Sequence, residues 1–232
     1  MANEEHDFAP FIKALTEALD EAEGGCVYLV VDNASQDDTL KLCNTLSATD
    51  TRFVTVWAPE NKNVVDAYLR GYREAYEKGH QSIIEMDAGL SHDPAQLQKF
   101  LDKLAAGYEC VFGSRNMLGG SNAESPLRRR LLSRGGTFLA NILLGTELTD
   151  MTSGYQGFTR KVVEQILGHK LRSRAHFYQT ELRYLLRNRK WIEVPIHYRA
   201  PSPRISCKAV RNALACLIYY TGRRIRGKKD NI

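Results

Sequence analysis

The sequence has no pair of cysteines at C-x-x-C spacing. Its five, Cys26, Cys43, Cys110, Cys207 and Cys216, are odd in number and scattered. That pattern signals neither a zinc site nor a disulfide framework, and it fits reduced, buried thiols in a cytosolic protein. No apolar run approaches the roughly 20 residues of a membrane span; the longest are Thr137–Leu144 and Ala209–Tyr220, the second broken by Arg211 and Asn212. The amino terminus, Met-Ala-Asn-Glu-Glu-His-Asp, lacks a basic stretch leading into an apolar one, so it does not read as a secretory signal. No G-x-G-x-x-G follows an apolar run and no G-x-x-x-x-G-K-[ST] occurs, which argues against dinucleotide and P-loop folds. No helix-turn-helix or RNA-binding motif is present, and the basic residues lack aromatic interleaving, so nucleic acid is not an expected partner.

What is present is the composition of an ordinary folded protein, 232 residues with 43% hydrophobic and 25% charged, enough for one large or two small domains. The net charge of +5 hides an asymmetry. Residues 1–110 carry nine Lys/Arg against twenty Asp/Glu, and residues 111–232 carry twenty-three against seven. The second half therefore expects an anionic partner: phosphate, membrane surface or nucleic acid.

Short apolar runs alternate with helical periodicity through the first half. Helices are expected from Asp7 to about Glu23, over Asp37–Leu46, Val64–Glu77 and Pro94–Leu104. Strands are expected over Cys26–Val31, Phe53–Trp57 and Ser82–Met86, with another ending at Phe112. This is the pattern of β-α-β units and a mostly parallel sheet covered on both faces, so the fold class is α/β. In such sheets ligands sit beyond the carboxyl ends of the strands. There the sequence places Asp32-Asn33-Ala34-Ser35-Gln36-Asp37, then Pro59-Glu60-Asn61, then Asp87-Ala88-Gly89-Leu90-Ser91-His92-Asp93, then Gly113-Ser114-Arg115. Carboxylates at successive strand ends suit a ribose or a divalent cation, although Asp32 and Asp37 taken singly are equally well read as cap or turn residues.

Beyond Gly113 the texture changes. A loop at Gly119-Gly120-Ser121-Asn122 leads to an expected helix, Leu127–Leu144, whose first turns hold Arg128, Arg129, Arg130 and Arg134. With Arg115, these guanidinium forks suit phosphate oxygens, and a solvated charged face accounts for at least one of them. A turn-rich Asp150–Tyr155, a helix over His176–Arg189 and a strand over Trp191–Tyr198 follow. The end, Arg204–Arg226 and a tail of Arg and Lys, is amphipathic, with nine basic residues and one acidic one from Arg199 onward. It suits a helix lying on an anionic membrane surface; a core-docked helix with a solvated tail has the same periodicity.

Several of these segments together resemble family 2 glycosyltransferases of GT-A fold, in particular polyprenol-phosphate (dolichyl-phosphate) mannosyltransferases, over nearly the whole chain. Asp32–Thr39 resembles D-D-x-S-x-D-x-T with Asn33 for the second Asp. Asn61–Ala75 resembles N-x-G-x-x-x-A-x-x-x-G-x-x-x-A with Asn63 for Gly. Met86–Pro94 resembles M-D-A-D-L-S-H-D-P with Gly89 for Asp. Gly113-Ser114-Arg115, Gly119-Gly120, Arg129 with Ser133, Asp150–Tyr155 and Glu193-Val194-Pro195-Ile196 follow in the family's order. The resemblance implies a GT-A domain over residues 1–203, its nucleotide-sugar half ending at 112, followed by a basic helix and tail over 204–232. It implies inverting transfer of a sugar, mannose from GDP-mannose, from a nucleotide diphosphate sugar to a polyprenyl phosphate. Other acceptors, and a catalytically weakened nucleotide-sugar-binding protein, are the alternatives.

By the same resemblance Asn3, Glu4, Asp32, Asn61, Asp87 and Ala88 would bind the nucleotide. Asp87 would hold a divalent cation, Mg²⁺ or Mn²⁺, weakened by Gly89. Arg115, Arg129 and Ser133, with Arg199 or Arg204, would hold the acceptor phosphate, and Asp87, Arg115 and Arg129 would carry catalysis. The implied location is cytoplasmic and peripheral to a membrane. The family begins with an apolar strand ending in P-x-x-N-E, whereas this chain opens at Ala2-Asn3-Glu4-Glu5. Either the true start lies upstream or the sheet edge that would pair with that strand is exposed, and a truncated start is the expectation.

Overall fold

The computed structural model describes the chain except residues 23, 123–124, 200–205 and 229. Helix α1 (Phe8–Glu21) turns Phe8, Phe11, Ile12, Leu15, Ala18 and Leu19 to one side, the i, i+3, i+4 stripe visible in the sequence. That stripe closes a first core with Leu29 and Val31 of β1 (Val27–Val31), Cys43 of α2 (Thr39–Thr49) and Phe53 of β2 (Phe53–Trp57). Strands β1 and β2 pair in parallel, Val27 beside Phe53 through Val31 beside Trp57. Helix α3 (Val64–Glu77) returns the chain to β3 (Ser82–Glu85). A 3₁₀ turn, Pro94–Gln96, leads into α4 (Leu97–Ala105) and then β4 (Cys110–Ser114). The long α5 (Leu127–Leu144) follows, then β5 (Gln156–Thr159), α6 (Arg160–Gly168), α7 (Tyr178–Leu185), β6 (Trp191–Pro195) and α8 (Cys207–Ile225).

The fold is α/β, as the alternation implied. The described strands form a two-stranded sheet, β1-β2, and a four-stranded sheet in the order β3-β5-β4-β6. Strands β4 and β6 are parallel, while β5 enters antiparallel between β3 and β4. Neither β5 nor α6 stood out in the sequence. The strand Gln156-Gly157-Phe158-Thr159 is four residues long with one large apolar side chain, too little for a period-2 signal. Its insertion binds the two halves of the chain together, since β3 belongs to the first and β5 to the second. Gly157 lies where a Cβ would touch Ile84, Phe100 and Leu104, each at 3.4 Å, so α4 lies directly on the sheet there. Two isolated bridges, His92 to Tyr198 and Ser121 to His197, continue the run beyond β6.

The largest core gathers Phe112, Phe158, Ile166, Tyr178, Leu182 and Leu186 with Leu217 and Tyr220 of α8. Helix α8 is thus docked: Tyr220 donates a short hydrogen bond to the buried Glu181, and Arg224 donates to the α5 carbonyls of Ile142 (3.0 Å) and Leu143 (3.2 Å). That arginine caps a helix end whose chain reverses through Gly145 in the left-handed conformation, φ +67°. The opposite face of α8 is exposed and apolar, with Val210, Leu214, Ile218 and Ile225 open to solvent.

Candidate active site

The loop after β1 forms the first wall. Asp32 accepts from the backbone N–H of Ala34 at 2.9 Å, and Asp37 accepts from the hydroxyl of Thr39 (2.6 Å), the hydroxyl of Ser35 (3.0 Å) and the N–H of Glu5 (3.0 Å). The Thr39 hydroxyl is the main reason the Asp37 carboxyl sits at about 2. Asp37 is therefore a turn residue just before α2, whose N-cap position is Asp38, and it accepts from the N–H of Thr39. The amino-terminal segment is fastened to the same loop. Asn3 N–H donates to Ser35 Oγ (3.1 Å), Gln36 N–H to Asn3 Oδ1 (2.8 Å), and Glu4 N–H to Thr39 Oγ1 (2.9 Å). Asn3 and Glu4 thus meet the Asp32 loop, which brings together three of the residues that the resemblance assigned to the nucleotide.

Asn61 follows β2, and its buried Nδ2 has no hydrogen-bond partner among the described residues, a donor left for a ligand. Asn63, where the family motif has Gly, caps α3 by accepting from the N–H groups of Val65 and Asp66.

Asp87 stands just past β3 and is the hub. Its backbone N–H donates to His92 Nδ1 at 3.2 Å, so that nitrogen carries no proton. Burial also lowers the His92 pKa, which makes the 3.8 Å approach of His92 Nδ1 to the Asp87 carboxylate a contact with a neutral ring rather than an ion pair. Tyr68 of α3 donates a short hydrogen bond to Asp87 Oδ1, and its ring stacks on Tyr178 at 5.2 Å. Beneath lies Glu85, fully buried, accepting from Tyr72, Tyr178 and Gln156. Burial raises its pKa to about 7 despite those donors.

The second half of the chain reaches Asp87 at Gly154. A Cβ on Gly154 would stand 2.5 Å from Gln179 Nε2 and 3.0 Å from Asp87 Oδ1, so only glycine lets the segment 150–155 approach. Two residues back along that segment is the arginine cluster. Arg115 forks onto Asp150 through Nε (2.7 Å) and Nη2 (2.9 Å), and Nη2 also reaches Thr152 Oγ1 (2.6 Å) and Ser133 Oγ (3.1 Å). Burial alone would raise the Asp150 pKa, yet Arg115 holds it at about 2. The loop is gripped from below by Glu193 of β6, which accepts from Thr149 and Asp150 N–H at 2.8 and 3.0 Å.

Arg115 and Ser133 are therefore joined as expected, and Arg129 lies one helical turn before Ser133 on the same face of α5. Arg199 is not bonded to this cluster. Its guanidinium is paired with Asp93 and its N–H donates to Ser91 O. Its expected rival, Arg204, lies outside the described residues. Tyr68, His92, Asp150, Gly154 and Gln179 were not singled out as site residues, though Gly154 and Asp150 fell within a marked turn. Tyr68 sits on a helix face, and Gln179 on a short helix read only for Glu181, which the structure uses to anchor α8.

Helix α5 runs on from Ser133 and the Arg115 cluster. Beyond Ser133 its Phe138, Leu139 and Ile142 are exposed, Phe138 by 68%, and a cavity of about 320 Å³ lined by Asn116, Arg134, Phe138 and Thr149 lies at its flank. Helix α8 packs against α5, with Arg224 bonded to the Ile142 and Leu143 carbonyls, and each helix also carries exposed apolar side chains and basic residues, Arg128 and Arg134 on α5 and Lys208 and Arg211 on α8. No helix among the described residues is long and apolar enough to cross a membrane.

Cation ligation is narrower than in a closed protein site. Among the described residues no three His, Cys, Asp or Glu side chains gather as a metal cluster. Asp87 offers oxygen donors of the kind a hard cation takes. At Gly89, φ +77°, the place a Cβ would occupy is 2.9 Å from Glu4 Oε2. The position lacking a carboxylate of its own is thus faced by one from the amino-terminal segment, and the residues present fit a cation shared with a diphosphate.

Residues 1–167 match the model of Glycosyl transferase family 2. The chain is 32% identical over 205 residues to polyprenol monophosphomannose synthase of Mycolicibacterium smegmatis, covering 87% of this chain and 77% of that one. It is 30% identical over 186 residues to undecaprenyl-phosphate mannosyltransferase of Micrococcus luteus, covering 79% and 74%. Among solved structures it resembles glucosyl-3-phosphoglycerate synthase from Mycobacterium tuberculosis, crystallised with Mn²⁺, uridine diphosphate and glucosyl-3-phosphoglycerate. The TM-score is 0.68 at 15% identity, over 96% of this chain and 77% of that one, a likeness of fold.

Proposed function

The chain belongs to glycosyl transferase family 2, and from that membership we propose that it moves mannose from GDP-mannose onto a polyprenyl phosphate with inversion at the sugar carbon. The observation that carries this reading is the contact at Gly154. It sets Asp87, on the nucleotide side, beside a segment whose neighbouring residues hold Arg115 and Ser133. A donor diphosphate at Asp87 and an acceptor phosphate at Arg115, Arg129 and Ser133 would meet there.

The chemistry suits such a site. A phosphate monoester loses its second proton near pH 6, so it arrives as a nucleophile with little need of a general base. One of its oxygens attacks the anomeric carbon opposite the diphosphate. The new C–O bond forms as the old one breaks, and the electron pair leaves with the nucleoside diphosphate. The protein's task is to hold two anions in line. Arg115, fixed by Asp150, and Arg129 supply positive charge at the acceptor, and Ser133 supplies a hydroxyl donor. Asp87 would hold a divalent cation, Mg²⁺ or Mn²⁺, whose charge neutralises the leaving diphosphate when bound. Asn3, Glu4, Asp32, Asn61 and Ala88 would line the nucleotide's side. The exposed apolar faces of α5 and α8, with their basic edges, suit a peripheral seat on an anionic bilayer, where the acceptor's chain would be dissolved.

The test is transfer from a panel of GDP- and UDP-sugars to a short polyprenyl phosphate, with and without Mg²⁺ or Mn²⁺. Formation of β-linked mannosyl phosphate from GDP-mannose is the expected result. Nucleotide binding with no transfer to any acceptor, including water-soluble phosphates, would overturn it in favour of a binding protein.

A further inference from the structure

Gly89 removes a carboxylate from Asp87-Ala88-Gly89, and the surroundings of that glycine say what fills the gap. By bond lengths, the carboxylate oxygens of an aspartate lie about 2.4 Å from its own Cβ. Glu4 Oε2 lies 2.9 Å from the Cβ position of residue 89 and its carboxyl carbon 3.8 Å away, so a carboxylate oxygen stands nearly as close to that position as an aspartate's own would. The placement is built. Glu4 N–H is held by Thr39 Oγ1, and both of Glu4's neighbours, Asn3 and Glu5, are hydrogen-bonded to the same loop. Asp87, which would share the ligand, accepts a short hydrogen bond from Tyr68.

We propose that Glu4 supplies the second protein carboxylate for the cation that accompanies the sugar nucleotide, in place of the one absent at residue 89. The proposal rests on the reading of Asp87 as the cation and diphosphate site. It gives the open glycine a purpose: with φ +77° and Glu4 so near, a side chain at 89 would collide with the carboxylate that replaces it. Asp87 and Glu4 then furnish two hard oxygen ligands on facing segments, and the diphosphate oxygens and water complete the shell, the arrangement common for Mg²⁺ and Mn²⁺ at phosphate sites. The amino-terminal segment thereby becomes part of the donor site rather than a lead-in to α1.

The experiment reads metal directly, by loss of the free Mn²⁺ electron paramagnetic resonance signal on titrating protein with and without GDP, alongside calorimetric GDP binding in chelator. Glu4→Gln is nearly isosteric and keeps the backbone bond to Thr39. It is expected to weaken Mn²⁺ binding in the presence of GDP by about tenfold or more, a larger loss than the one in GDP binding measured in chelator. In a Glu4→Ala background, where the side chain that would collide is gone, Gly89→Asp is expected to recover Mn²⁺ binding, since aspartate is among the residues that tolerate a left-handed backbone. Gly89→Asp alone, facing the intact Glu4, is not expected to tighten it. Equal Mn²⁺ binding by the parent and Glu4→Gln would overturn the proposal while leaving the cation reading intact. No Mn²⁺ binding by the parent protein with GDP or UDP would overturn that reading, and the proposal with it.

Discussion

Glu85→Gln is the substitution whose consequence follows most directly from the structure. The carboxyl is fully buried two residues before Asp87, and burial lifts its pKa from an ordinary 4.5 to about 7 although Tyr72, Tyr178 and Gln156 donate to it. The folded protein therefore binds this proton more tightly than the unfolded chain does. Its favourable contribution is complete below about pH 4.5, declines as pH rises toward 7, and is absent above 7, where ionisation inside the core is forced. A difference of 2.5 in pKa corresponds to about 3 kcal/mol. A neutral glutamine does not titrate, and its amide can also donate to Gln156 Oε1, which has no partner among the described residues. Thermal melts of both proteins from about pH 5 to 8 should nearly coincide at the acid end and separate toward the alkaline end, with Glu85→Gln the more stable. The separation should approach about 6–12 °C for a chain of this size. A difference that stays constant across that range would refute the reasoning, because it would mean that Glu85 does not titrate there.

Gly154→Ala should leave the fold intact and lower kcat/KM for sugar transfer by about a hundredfold, as a methyl group displaces Gln179 and Asp87; steady-state kinetics and circular dichroism together check it. Asp150→Asn breaks a buried fork to Arg115 and should cost about 3–5 kcal/mol in urea unfolding near neutral pH. With the native Asp150 pKa held at about 2, below its ordinary value, the pair's stabilisation is present above about pH 4 and lost as pH falls through about 2. The deficit of Asp150→Asn relative to the parent should therefore shrink in acid. Phe138→Asp with Ile218→Asp should abolish co-sedimentation with anionic vesicles yet spare nucleotide binding, since both side chains are solvent-exposed. Vesicle binding equal to the parent's would reject the α5–α8 face as a membrane seat.

Local pattern determined much of this protein. The helices Val64–Glu77 and Leu127–Leu144 and the strand Phe53–Trp57 have in the structure the bounds that their periodicity gives, because each is long or strongly patterned and bounded by turn residues. The motif residues at strand ends were legible for the same reason: strand ends are where an α/β fold presents ligand groups, whatever the sheet order. What the sequence could not carry was distance across the chain. Strand β5 joins the halves through four residues with no period. Gly154 meets Asp87 from the far half of the chain, and Tyr68 orients Asp87 from a helix whose pattern reports only burial. Arg199, alike in type to Arg115, is drawn instead to Asp93. The carboxylate of Glu4 faces a glycine that lies beyond three strands and three helices of intervening chain. Charge and hydrogen-bond partners act through space, and only the packed tertiary structure decides which of many similar side chains come within reach of one another.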